Sequence, residues 1–162
     1  YRALRLAASG TLPQAAEAAY RDAAAQLANA GMPGVERGLL PLALLCLSVW
    51  RCDPVPFDED TDWGPYTPWV RPVVLLTEGR PADAAAALRQ APDPPRDLLF
   101  EAMWCLTAHA AVVVDDQTAM KRARTELTPA ADELAGAGSG MLTIGPVARY
   151  LDQLDAALSR DR

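Results

Sequence analysis

Glu101, Cys105 and His109 follow one another at intervals of four residues, so a helix through this stretch carries all three on one face. A carboxylate, a thiol and an imidazole in that order suit two chemistries. A metal such as zinc would need three or four convergent ligands, so a second helix would have to supply the rest. A Cys–His nucleophile pair would need a third group to orient the base, together with an oxyanion site. His109 is the only histidine of the chain, and no other stretch combines Cys, His and a carboxylate. The competing reading is a half-buried helix face whose polar edge lines a groove, and the missing partners favour it.

A second candidate is "FDEDTDWGPY", which sets Asp58, Asp60 and Asp62 at alternate positions ahead of Gly64. Alternating carboxylates can wrap calcium. An EF-hand loop, however, needs glycine at its sixth position and a bidentate glutamate at its twelfth. Counted from Asp58, those places hold Trp63 and Trp69. The surrounding stretch, residues 52–68, carries four prolines and five acids, and it reads as a long polar connection. There is no Gly-rich phosphate loop, no G-x-S-x-G and no H-E-x-x-H, so no catalytic motif, metal or cofactor is expected.

The elements that must position these residues are helical. The 162 residues suit one domain with one core, and alanine and leucine supply most of the apolar content while aromatics make up only 6%. The net charge is −6, and the densest basic run, Lys121, Arg122 and Arg124, reads as a solvated helix face, which argues against direct nucleic-acid contact. Cys46, Cys52 and Cys105 form no C-x-x-C pair, as expected of a reduced, cytoplasmic protein. The longest apolar run, Leu39 to Trp50, is too short to span a bilayer, and no signal peptide is visible. A start at Tyr1 suggests a piece of a longer protein. The basic residues are all Arg but one; with abundant Ala, Pro and Gly, that points to a GC-rich bacterial genome.

Sliding the chain by 35 residues brings Trp69 onto Trp104, Ala84 onto Ala119, Pro94 onto Pro129, Asp97 onto Asp132 and Leu99 onto Leu134. The unit is a helical hairpin. "YTPWVRPVVLLTEG" is a first helix, with Pro68 in its opening turn and Gly79 closing it in the left-handed conformation. "RPADAAAALRQA" is the second, ended by "PDPP". "RDLLFEAMWCLTAHAAVVV" is apolar nearly all round and should be buried. "DDQTAMKRARTEL" follows, with Asp115 and Asp116 placed to start a helix. An earlier copy of the second helix runs through "SGTLPQAAEAAYRDAAAQLANAG", and "GPVARYLDQLDAALSR" is the last helix. Tyr150 lies too far beyond Trp104 for a strict repeat, which predicts an insertion at 130–140. The expected fold is all-α: about eight helices in a right-handed solenoid of antiparallel hairpins.

The hairpin with its small-residue spacing resembles a degenerate tetratricopeptide repeat. From about residue 64 to 155, "PRDLLFEAMWCLTAHAAV" and "LTPAADELAGAGSGMLTIGPVARYL" resemble the C-terminal helical-repeat regions of large actinobacterial transcriptional activators. These are the antibiotic-regulatory type, with a winged helix and a bacterial transcriptional activation domain, or the related LuxR-type ATPase regulators. The resemblance implies a non-catalytic protein-interaction or effector-sensing domain whose DNA-binding end lies elsewhere in the parent. First helices of stacked hairpins would form a concave groove, with Trp69, Glu101, Trp104, His109 and Arg149 as its candidate lining. The occupant would be a protein or peptide partner or a small effector. Two other classes remain open: a homo-oligomerisation module, and a metal-binding or enzymatic domain using the Glu101, Cys105 and His109 face. Trp69 and Trp104 read as packing anchors, with Trp69 expected to be partly exposed after the acidic loop.

Overall fold

The computed structural model describes residues 1–9, 13–27, 37–54 and 60–160. Among these, the chain forms eight α-helices and no strand: α1 (Arg2–Ser9), α2 (Pro13–Leu27), α3 (Leu39–Arg51), α4 (Thr67–Thr77), α5 (Pro81–Gln90), α6 (Phe100–Val114), α7 (Gln117–Leu127) and α8 (Val147–Ser159). No helix among the described residues is long and apolar enough to cross a membrane.

The helix ends are written in local chemistry. A 3-10 turn, Gly64–Tyr66, leads into α4, with Pro68 in the first turn where its missing N–H costs nothing. Gly79 takes φ +71 beyond the end of α4, so the Gly79 and Arg80 amides fold back onto the Leu76 and Leu75 carbonyls at 3.1 and 2.9 Å. This paired closure turns the chain straight into Pro81 and α5. At α7, Asp116 caps the helix, its carboxylate accepting from the Ala119 amide at 3.0 Å. The preceding residue, Asp115, is left-handed and ends α6. α6 begins later than the apolar pattern suggests. The Asp97 carboxylate accepts from the Leu99 amide at 2.9 Å, and this local turn holds the chain out of the helix until Phe100.

Consecutive helices pair: α1 with α2, α4 with α5, and α6 with α7. α6 is the axis of the C-terminal part, packed against α4, α5, α7 and α8 together. That explains its composition. Ala102, Met103, Cys105, Leu106, Ala108 and Ala110 are all buried, while Glu101 and His109 stay half-buried and Val113 in the last turn is exposed.

The repeat register holds through two hairpins and then stops. Leu99 is buried at the start of α6, whereas its counterpart Leu134 is exposed and begins no helix. Ala135 instead exchanges backbone hydrogen bonds with Gly145 (2.9 Å) and Ile144 (3.1 Å), beside a single antiparallel bridge between Leu134 and Pro146. The expected insertion is therefore a folded-back loop. It tucks Leu142 and Ile144 into the core, and the Tyr150 hydroxyl donates to the Ile144 carbonyl at 3.0 Å to fix α8 beneath it.

Candidate functional site

Glu101, Cys105 and His109 lie together on α6, at different depths. Cys105 is fully buried, and burial pushes its thiol well above its ordinary value, with Cys46 and Glu101 adding to the shift. It stays protonated, the form that neither attacks nor ligates. Glu101 and His109 are half-buried. Burial, and secondarily Arg149, hold His109 below its ordinary value of 6.5, so it is neutral near pH 7. Among the described residues no three His, Cys, Asp or Glu side chains converge as a metal set would.

Arg149 is committed to architecture. Its guanidinium donates to the backbone carbonyl of Trp50 and to the Cys52 sulfur (3.1 Å), clamping α8 to the end of α3. Gly145 makes the same junction possible from the other side. At φ +94 it lies against the Trp50 indole, where a Cβ would stand 2.5 Å from Nε1.

In the acidic stretch, Asp58 lies outside the described residues and Asp60 is exposed. Asp62 accepts from Arg37 Nε at 2.7 Å and from the Gly64 amide at 2.9 Å. The Arg37 hydrogen bond, then that of Gly64, holds its carboxyl below the usual 3.8. These partners make Asp62 a turn-former and an ion-pair member.

The two repeat-related tryptophans part company. Trp69 is 9% exposed, not partly open as its place after the acidic loop suggested. Its Nε1 donates to the Pro92 carbonyl at 2.9 Å, and that bond draws the ring inward under the loop joining α5 to α6. Trp104 is 3% exposed, yet its Nε1 is buried with no acceptor among the described residues. It packs edge-on against Phe100, the rings 6.3 Å apart at 77°, and the Arg122 guanidinium sits over its face, 5.9 Å from the ring centre.

Trp104 also forms part of the wall of a half-open cavity of about 410 Å³. Leu88 and Arg89 of α5, the 91–94 loop, Thr107 of α6, and Ala119 and Arg122 of α7 complete much of it. Of the five residues expected to line one groove, Trp104 alone lines this cavity. The cavity opens between the second helices α5 and α7, rather than along the first helices. The reason is tertiary: α6 is packed against four neighbouring helices, and the Pro-rich 91–94 loop joins α5 to α6 at the cavity mouth. Asp93 of that loop pairs with Arg122, and the pair lies at the cavity wall.

Sequence reading missed Arg122 and Asp93. The run Lys121, Arg122, Arg124 reads as a solvated face, and it is exposed. Yet Arg122 pairs with Asp93 and Arg124 with Asp155, each bond reaching a neighbouring element. The one local signal was Ala119, the small residue of the repeat register, one turn before Arg122 on the same face. No protein-family model, curated protein or solved structure matches this chain.

Proposed function

We propose that this chain is a non-catalytic, effector-sensing domain of a bacterial transcriptional regulator, acting in the cytoplasm and passing its bound state to a DNA-binding domain elsewhere in the parent. The observation that carries the sensing part is the cavity at Trp104, walled by three helices and by the 91–94 loop. Its volume falls within the roughly 300–1,000 Å³ usual for small-molecule sites, and its wall mixes apolar surface with a few charged groups. Depth between helices favours a small molecule over a segment of a partner, which would seek a longer exposed groove. Burial of Cys105, which keeps its thiol protonated, supports the non-catalytic reading. The regulatory assignment rests on the resemblance at residues 64–155.

The loop offers a route for the signal. Pro92 receives the Trp69 indole of the first hairpin, while its neighbour Asp93 holds Arg122 of the second. A ligand that moves Asp93 therefore also loads α4. The test is reporter transcription by the parent protein with residues 64–155 deleted. Loss of the inducer response is expected, and unchanged activation with an unchanged inducer response would refute the sensing role.

A further inference from the structure

The cavity at Trp104 carries four charged groups on its wall, two of each sign. Asp93 and Arg122 pair with each other. The other two are Arg89, exposed in the last turn of α5, and Asp116, the half-buried cap of α7. Both line the same space, yet neither has an ion pair among the described residues, with the other or with anything else. The Ala119 amide engages one oxygen of Asp116 and leaves its charge in place. A ligand of net charge would be attracted by one pair of wall groups and repelled by the other. An uncharged ligand would cover Arg89 and Asp116 and return nothing for the water they lose. A molecule with one charge of each sign avoids both costs. Leu88, Ala91, Pro94 and the Trp104 ring offer apolar surface to the rest of it.

Resting on the effector-sensing reading, we propose that the cavity binds a free α-amino acid with an apolar side chain. Its carboxylate faces Arg89, whose planar guanidinium suits two carboxylate oxygens at once. Its ammonium donates to the oxygen of Asp116 that the Ala119 amide does not engage. The side chain lies along the 91–94 loop, which ties binding to the Pro92 carbonyl and to Trp69. Arg89 belongs to the hairpin of α4 and α5, and Asp116 to that of α6 and α7. One bound zwitterion therefore bridges the two hairpins through charges that the chain itself leaves apart.

The experiment titrates L-phenylalanine and L-leucine into the 15N-labelled chain, beside phenethylamine, which lacks the carboxylate, and hydrocinnamate, which lacks the ammonium. Affinity is read from the amide shifts of Ala91, Asp93 and Ala119. At least one of the amino acids is expected to move these signals to saturation, and L-phenylalanine to bind more tightly than either analogue. Arg89→Gln should weaken L-phenylalanine about two- to fivefold, as loss of an exposed ion pair does, and leave phenethylamine unchanged. Asp116→Asn keeps an oxygen to cap α7, so the fold is retained. It should weaken L-phenylalanine about tenfold, as loss of a charge-assisted hydrogen bond does, and not weaken hydrocinnamate. Three results would each overturn the zwitterion assignment: an analogue that binds as tightly as L-phenylalanine, a variant that weakens all three phenyl probes alike, or amides that neither amino acid moves. None of them touches the sensing role, which the deletion assay judges separately.

Discussion

Trp104→Phe should cost less stability than Trp69→Phe, although the two residues are repeat equivalents and equally deep. Both rings are buried, at 9% exposure for Trp69 and 3% for Trp104, so the apolar area lost on going to Phe is about the same and cancels in the comparison. The polar atom does not cancel. At Trp69 the substitution deletes a 2.9 Å hydrogen bond to Pro92, a loss of about 0.5–1.5 kcal/mol. At Trp104 it deletes a donor that folding strips of water without replacement, relieving a penalty of about 1–3 kcal/mol. The expected difference between the variants is therefore about 3 kcal/mol in favour of Trp104→Phe. Urea unfolding followed by far-ultraviolet circular dichroism measures it directly, and for a domain of this size it corresponds to about 6–12 °C between the melting temperatures. Truncation to Ala removes the packing as well and should cost about 3–5 kcal/mol at either place. Equal costs for the two Phe variants, or a larger one at Trp104, would show that the Trp104 indole N–H has a partner in solution and would refute the reasoning.

Gly79→Ala should cost about 1–2 kcal/mol, the strain of a Cβ at φ +71 with nothing to collide with, whereas Gly145→Ala should cost about 3 kcal/mol because it must also displace Trp50; thermal melts of the two separate strain from collision. His109 is held below its ordinary value of 6.5 in the folded chain. As pH falls from 6.5 towards that lowered value, the unfolded chain takes up a proton that the folded chain refuses, so stability should fall across this window. Urea midpoints over that range should show a shallower decline in His109→Gln, and an unchanged slope would exclude this origin.

Much of the fold was legible because its boundaries are set by residues acting on their immediate neighbours. Pro68, Gly79, Pro81 and Asp116 start or stop helices through their own φ or their own oxygen, and the structure uses each of them so. The apolar girdle of α6 announced burial for the same reason. What failed depended on partners distant in sequence. Trp69 is drawn in by a carbonyl 23 residues away, and Arg122 is engaged by an acid 29 residues away. Neither partner carries a pattern that local reading detects. The groove expected along the first helices assumed an open stack, whereas α6 is packed against four neighbours and the cavity at Trp104 opens on the α5–α7 side.

The clamp between α3 and α8 has a consequence in time. Arg149 reaches the Trp50 carbonyl across 99 residues of chain, and Gly145 seats the same tryptophan. The two hairpins α4–α5 and α6–α7 can each close as soon as their own helices exist, since their contacts are short-range. The end of α3 cannot. During synthesis its Trp50 has no lid until nearly the whole described chain has emerged, and the exposed Cys52 beside it waits equally long for Arg149. Assembly therefore finishes at the seam between α3 and α8. A chain cut short before α8 would carry completed hairpins and an unsealed amino-terminal half.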